Sequence, residues 1–307
     1  MRLRILLSLA LLIGAGALAV AAVGRTAVAP PDRKAPTRPT VDPDREPGEL
    51  RPVFHFGATD NRTPGTQLKF RCAIDSPLLH PCAHIHRPFS ALAFGSHLMR
   101  VRALDRAGNA SRVAAYAFTV VATWDAAADF AQTPNPENPG RDRYGNTTWF
   151  YLYSGTTAHD PSDYHVLPVF LVVDQDPNFQ VWRSTPAPWS AGAWVGWSGQ
   201  RMIMHPGHYN LGQNAILGWR SPVTSSIKLH ATISRNSNPC PVPQDGIIWS
   251  IDQGPNTLQS GPLAPGESKT VDITTSVAAG DSLYLTINGA TDTNCDATNV
   301  DLTLMTQ

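Results

Sequence analysis

Apolar side chains at every second position constrain this chain more than any other feature. Ile227, Leu229, Ala231 and Ile233 alternate with Lys228, His230 and Thr232. Leu283, Leu285 and Ile287 alternate with Tyr284 and Thr286, and Val300, Leu302 and Leu304 alternate with Asp301 and Thr303. Successive side chains of a strand point to opposite faces, so each run offers one face to a core and one to water. That is the pattern of half-buried antiparallel strands. It recurs at His97-Met99-Val101-Ala103 and Tyr116-Phe118-Val120, with the polar turn Asp105-Arg106-Ala107-Gly108-Asn109 between them. Weaker strand candidates are Trp149–Tyr153, Val166–Val173, Phe179–Trp182, Ala215–Trp219 and Gly246–Ile251. About eight strands are expected in the second half of the chain.

Composition points the same way. Four Lys and four Glu stand against 20 Arg and 20 Asp, alongside 27 Pro. Water-facing helices are usually filled with Glu, Lys and Ala, whereas Thr, Ser, Val, Gly and Pro favour short strands and loops. The 307 residues give room for about two domains. Formal net charge is zero and only 16% of residues are charged, so neither nucleic acid nor an anionic membrane surface is an expected partner.

The N-terminus reads as an export signal. Arg2 and Arg4 precede an uncharged apolar run from Ile5 to Val23, with small residues at Ala17, Ala19, Ala21 and Ala22. At 19 residues the run is long for a signal peptide and just long enough to span a bilayer. Two outcomes stay open, a cleaved signal peptide and an uncleaved anchor over residues 5–23. Either leaves the remainder outside the cytosol or at the cell surface. The expected plan is a signal or anchor at 1–23, a Pro-rich tether at 24–50, a first domain at 51–121, a linker at 122–145 and a second domain at 146–307.

Residues 36–121 resemble the bacterial immunoglobulin-like domains found in secreted and surface proteins of actinobacteria. The resemblance rests on Phe70, Cys72, Cys82, Gly95, His97, Met99, Val101, Ala103, Asp105, Ala107, Gly108, Asn109, Tyr116, Phe118 and Val120. It implies an immunoglobulin-like β-sandwich that spaces or adheres. The chain departs from that pattern after Cys82, where Ala-His-Ile-His-Arg-Pro stands in place of Ser and Pro.

Residues 145–306 are similar to C-terminal jelly-roll modules of secreted bacterial proteins, related in architecture to carbohydrate-binding modules. The similarity rests on His205-Pro206-Gly207, then Ala215 to Pro222, the strand at 227, and Val277 to Asp281 leading into the strand at 283. The expected fold class is therefore all-β, with two β-sandwich domains, an immunoglobulin-like sandwich and then a jelly roll.

Four cysteines fit an oxidising compartment and admit three pairings. Local geometry favours Cys72 with Cys82 and Cys240 with Cys295, one bridge per domain. The competing four-cysteine metal site lacks a C-x-x-C pair.

All eight Trp lie between Trp124 and Trp249. Trp189, Trp194 and Trp197 sit in a Pro-, Gly- and Ser-rich stretch and are the candidate sugar-stacking residues, since flat rings with one polar N–H suit the faces of sugars. The competing reading is that they cover a core under a long loop. Asp292, Asn294 and Asp296 place oxygen ligands at every second position and are candidates for a structural calcium, with an Asx-rich turn as the alternative. No other cofactor is expected. His80, His84, His86 and His97 could chelate a metal, but a solvated loop is the better reading.

No G-x-S-x-G, H-E-x-x-H, phosphate loop or dinucleotide-binding glycine run is present. Only Glu137 and Glu267 lie beyond residue 50, so a pair of catalytic Glu cannot readily be assembled. The expected function is a non-catalytic exported surface protein with an adhesion or spacer domain and a carbohydrate-binding module. The alternatives are a structural envelope protein with a protein partner, or an Asp-dependent hydrolase.

Overall fold

The computed structural model describes residues 30–44, 49–131, 136–156, 159–173, 178–186, 192–207, 213–235, 245–291 and 293–307. The apolar run over residues 5–23 lies outside them, as do Trp189, Cys240 and Asp292. Among the described residues, no helix is long and apolar enough to cross a membrane.

The first sandwich has seven strands: β1 (Thr40–Asp44), β2 (Val53–Gly57), β3 (Lys69–Ile74), β4 (His80–Cys82), β5 (Ile85–His86), β6 (Gly95–Leu104) and β7 (Ala114–Val120). They form one sheet of order β1-β2-β5 and another of order β4-β3-β6-β7, all antiparallel. Alternation drives the packing. Phe54 and Phe56 of β2, Met99, Val101 and Ala103 of β6, and Phe118 and Val120 of β7 are buried in one core. Phe54 meets Phe118 edge-on across the sheets, with ring centroids 5.0 Å apart. Cys72 is bridged to Cys82, tying β3 to β4 with a Cα separation of 6.0 Å.

The polar turn after β6 is held by Asp105, whose Oδ1 accepts the Asn109 N–H at 2.7 Å and whose Oδ2 accepts the Asn109 amide at 2.7 Å. Gly108 sits there at φ +91°, a conformation that costs glycine little and L side chains much.

The second sandwich begins with β8 (Thr123–Asp125) and the short helix α1 (Ala126–Ala131). Then follow β9 (Gly140–Arg141), β10 (Thr147–Ser154), β11 (Tyr164–Val166), β12 (Val169–Val172), β13 (Phe179–Arg183), β14 (Trp194–Ser198) and β15 (Met202–His205). The last seven strands are β16 (Asn214–Arg220), β17 (Ser225–Arg235), β18 (Ile247–Gln253), β19 (Asn256–Leu263), β20 (Ser268–Val277), β21 (Ser282–Gly289) and β22 (Thr298–Thr306).

One sheet runs β11-β10-β16-β21-β18-β19, with β9 beside β10. The other runs β12-β13-β14-β15-β22-β17-β20, with β8 beside β22. From β15 to β22 the chain changes sheet at every connection except the hairpin joining β18 to β19. That repeated crossing is a jelly-roll path. Between the sheets lie the buried faces of the alternating strands together with Trp124, Trp149, Trp219 and Trp249. Trp124 and Trp219 meet edge-on at 4.9 Å.

Three expectations are corrected. Thr40–Asp44, placed in the tether, forms β1 and pairs along its length with β2. The stretch 122–145, read as a linker from its prolines, carries β8, α1 and β9 and buries Trp124 and Phe130 in the second core. The second sandwich has fifteen strands among the described residues rather than about eight, because β8, β9, β14, β15, β19 and β20 fall outside the sequence candidates and the Val166–Val173 candidate is divided between β11 and β12.

Phe94 joins the two units. It packs against both cores, with its ring 5.1 Å from Tyr144 and 6.3 Å from Trp124.

Candidate functional site

Trp194 and Trp197 do not share a platform. They lie an odd number of positions apart on β14 and so point to opposite faces. Trp194 is only 5% exposed, stacked on His205 with centroids 5.4 Å apart and met edge-on by Phe179 at 5.8 Å. Burial pulls the His205 imidazole down to about 4, despite its contact with the Pro206 carbonyl at 2.5 Å. Trp197 is half-buried against the second core and stacks on Phe130 at 6.3 Å.

Of the calcium candidates, Asp292 lies outside the described residues. Asp296 is fully buried, and its Oδ1 accepts from Nη2 of the buried Arg235 at 2.6 Å. A guanidinium thus supplies the positive charge that a calcium ion would have brought. Asn294 is exposed in a turn. Cys295 is disulfide-bonded, while its expected partner Cys240 lies outside the described residues. The loop histidines do not converge: His80 and His84 are exposed, His86 stacks on Phe56 at 6.4 Å, and His97 bonds to Asp75 at 2.6 Å. His86 does approach Cys72 and Cys82, but both sulfurs are spent in the disulfide.

Among the described residues, Ser250 and Asp252 of β18 meet His159 in a Ser, His, Asp grouping. Asp252 is fully buried and receives Ser250 Oγ at 2.7 Å and Thr257 Oγ1 at 2.6 Å. His159 Nδ1 lies 3.0 Å from Asp252 Oδ2 and 3.0 Å from Ser250 Oγ. A nucleophilic relay needs the carboxylate on one ring nitrogen and the hydroxyl on the other. Here both meet Nδ1, and the Ser250 hydroxyl donates to the carboxylate, so the group ties β18 to His159.

The arrangement best suited to a ligand is a polar ladder on the outer face of the eight-stranded sheet. Ile227, Leu229 and Ala231 of β17 face the core, so Lys228 and His230 face out. Strand pairing sets Asp272 of β20 across from His230, His230 across from Thr303 of β22, and Thr303 across from Asp125 of β8. The adjacent row is Thr274, Lys228, Met305 and Thr123. His230 Nδ1 lies 3.0 Å from Asp272 Oδ1, and Lys228 Nζ lies 4.0 Å from the same oxygen.

Arg143 leans in from the loop after β9. Its Nε donates to Asp129 Oδ1 at 3.1 Å, and Asp129 also accepts Trp149 Nε1 at 3.0 Å. Burial raises the Asp129 carboxyl, and the Trp149 hydrogen bond and Arg143 only partly offset this. Asp125, Arg143, Lys228, His230, Asp272 and Thr303 are among the groups that line a cleft of about 400 Å³.

The sequence named Lys228, His230 and Thr303 only as wet-side residues. The alternation was a sufficient signal for which side chains point out, but not for which of them stand side by side.

No family model matches the chain, and no curated protein matches it. The solved structures it matches include carbohydrate-binding modules and also an Arthrobacter globiformis isomalto-dextranase, 13% identical at TM-score 0.25. One solved for the promiscuous specificity of carbohydrate-binding modules of the β-sandwich superfamily is 11% identical, covering 90% of this chain and 93% of that one, at TM-score 0.29. A Clostridium perfringens ZmpB structure, holding a CBM51-2 domain with GlcNAc and INT domains, is 8% identical at TM-score 0.29, covering 82% of this chain. This chain spans only 43% of that structure's length. A family 35 carbohydrate-binding module from Clostridium thermocellum is 12% identical, covering 45% of this chain and 98% of that one, at TM-score 0.23. At these scores the likeness is loose, and the sandwich assignment rests on the strand pairings themselves.

Proposed function

We propose that this is an exported, non-catalytic protein whose second sandwich binds carbohydrate through the ladder of β20, β17, β22 and β8. The observation that carries the reading is a cleft of about 400 Å³ in which His230, Asp272, Lys228, Thr303 and Arg143 converge. Concave sites with a few fixed polar groups are where small polar ligands bind. Adjacent donors and acceptors on a rigid sheet match vicinal hydroxyls, and strands hold such groups in place better than loops do. The Cys72–Cys82 bridge supports an oxidising compartment. The strand orders β1-β2-β5 and β4-β3-β6-β7 support an immunoglobulin-like spacer as the first domain.

The test is pull-down on a panel of insoluble and soluble polysaccharides. The His230→Ala, Asp272→Ala double variant should lose retention at least tenfold while its melting temperature holds. Unchanged retention would move the site elsewhere.

A second reading, a structural envelope protein with a protein partner, is favoured by one observation. Phe89 is 97% and Leu78 69% exposed on the first sandwich. Aromatic side chains such as Phe are enriched where proteins meet. Phe89→Ser should then abolish co-purification of an envelope protein without touching polysaccharide retention.

A further inference from the structure

We infer that the first sandwich carries an interaction surface of its own. The outer face of its four-stranded sheet docks a linear phosphate-bearing polymer on Lys69, Arg71, Arg100 and Arg102.

Register assembles the four cations. Phe70 and Cys72 of β3, and Met99, Val101 and Ala103 of β6, are buried in the first core. Lys69 and Arg71 therefore point outward from β3, and Arg100 and Arg102 outward from β6. Strand pairing sets Arg71 directly across from Arg102. Opposed residues hold their Cβ atoms about 5 Å apart and diagonal ones about 7–8 Å. Lys69 is diagonal to Arg102, and Arg100 is diagonal to Arg71. Among the described residues, none of the four forms an ion pair. Asp75, the acid that follows β3, is held by His97 at 2.6 Å. Asp42 and Asp44 are exposed on β1, in the other sheet. Arg102 Nε is shielded from solvent and has no hydrogen-bond partner among the described residues. Like charges directly opposite each other destabilise a sheet. A chain with zero net charge that nevertheless opposes two Arg here gains from an anion laid between them.

The chemistry of the face narrows the partner. Three of the four cations are Arg, whose planar fork bonds phosphate through two N–H groups at once. Phosphate oxygens are tetrahedral, so two guanidiniums can approach one group from different directions, whereas the two oxygens of a carboxylate share a plane. The remaining outward positions of β3, β6 and β7 hold Ala, Ser, Leu and Thr. No aromatic ring stands on those strands' outer face to stack on a base or to sit at a bilayer interface. Binding therefore falls on charge alone. Residues two apart along a strand repeat at about 7 Å, so one extended polyanion meets Lys69 and Arg71, or Arg100 and Arg102, in succession.

The experiment is isothermal titration of the full chain with inorganic polyphosphate. Polygalacturonate, single-stranded DNA and phosphatidylglycerol vesicles are the competing probes. Polyphosphate should bind most tightly of the four, and its affinity should fall about tenfold or more between roughly 50 and 200 mM salt. The Arg71→Gln, Arg102→Gln double variant should bind polyphosphate about tenfold more weakly. Its melting temperature should hold or rise, because the opposed like charges are gone. Arg71→Lys with Arg102→Lys keeps the charge but loses the forks, and should still bind about threefold more weakly than the wild type. Polysaccharide retention by the second sandwich should be the same in all three proteins, so this inference and the carbohydrate reading fail separately. No binding of polyphosphate, or polygalacturonate, DNA or vesicles bound as tightly, would overturn the inference. So would full activity of the Lys variant, or a Gln variant whose lost affinity comes with a lower melting temperature.

Discussion

His97 and Asp75 form the tightest polar contact between side chains of the first sandwich, with Nδ1 2.6 Å from Oδ2. The other ring nitrogen of His97 donates to the Ala93 carbonyl at 2.8 Å. Both nitrogens thus act as donors, which suits a protonated imidazole. Burial alone would lower the imidazole, but the Asp75 and Ala93 bonds and the Asp75 charge outweigh it and hold it above 6.5. Burial likewise opposes ionisation of Asp75, yet the hydrogen bonds from His97 and the Leu98 N–H hold it below 3.8.

The sign of the pH dependence follows. A raised histidine contributes fully below 6.5 and is lost as pH rises through its folded value, while a depressed carboxylate contributes above 3.8 and is lost as pH falls through its own. The pair should therefore stabilise the first sandwich most between those two values. Melting temperatures measured from acid to mildly alkaline buffer should decline above pH 6.5 in the wild type, and His97→Gln should flatten that decline. Parallel curves for the two proteins would show that the pair has no such role.

Reducing the Cys72–Cys82 bridge, or replacing both residues by Ser, should destabilise the first sandwich by about 3 kcal/mol, the entropy regained by so short a loop. Calorimetry should register a lower first transition. The second sandwich, with its own core, should hold its transition if measured in the double Ser variant, where Cys240 and Cys295 remain intact. A loss shared equally by both transitions would mean that the two units unfold as one.

Trp194 is a packing residue in this fold, not a stacking platform. Trp194→Ala should cost about 3–5 kcal/mol, the usual range for a large buried aromatic. Urea unfolding measures this directly. A loss of polysaccharide retention with unchanged stability would restore Trp194 to the binding surface.

Much of the fold was legible in the sequence, for a physical reason. The strands β17, β21 and β22 alternate cleanly because one face meets the core and the other meets water. The motif from Asp105 to Asn109 was legible because a positive φ at Gly108 and a carboxylate acceptor at Asp105 are local requirements. Strand β14 was hidden. Its Trp194-Val195-Gly196-Trp197 run is buried on both faces, so no alternation survives. Trp124 and Phe130 were masked by the prolines that follow them.

The candidate site was the least legible part, because it is made by register. His230 and Asp272 are 42 residues apart, and only the pairing of β17 with β20 makes them neighbours. The ion pair of Asp296 was hidden for the same reason: Arg235 lies 61 residues away.

Hydrogen exchange measured with and without the retained polysaccharide tests the binding face most directly. Added ligand should slow exchange in Thr123–Asp125, Ser225–Arg235, Ser268–Val277 and Thr298–Thr306, the four strands of the ladder, and leave β10, β16 and β21 unchanged. Slowing confined to the opposite sheet, or to the first sandwich, would contradict the assignment.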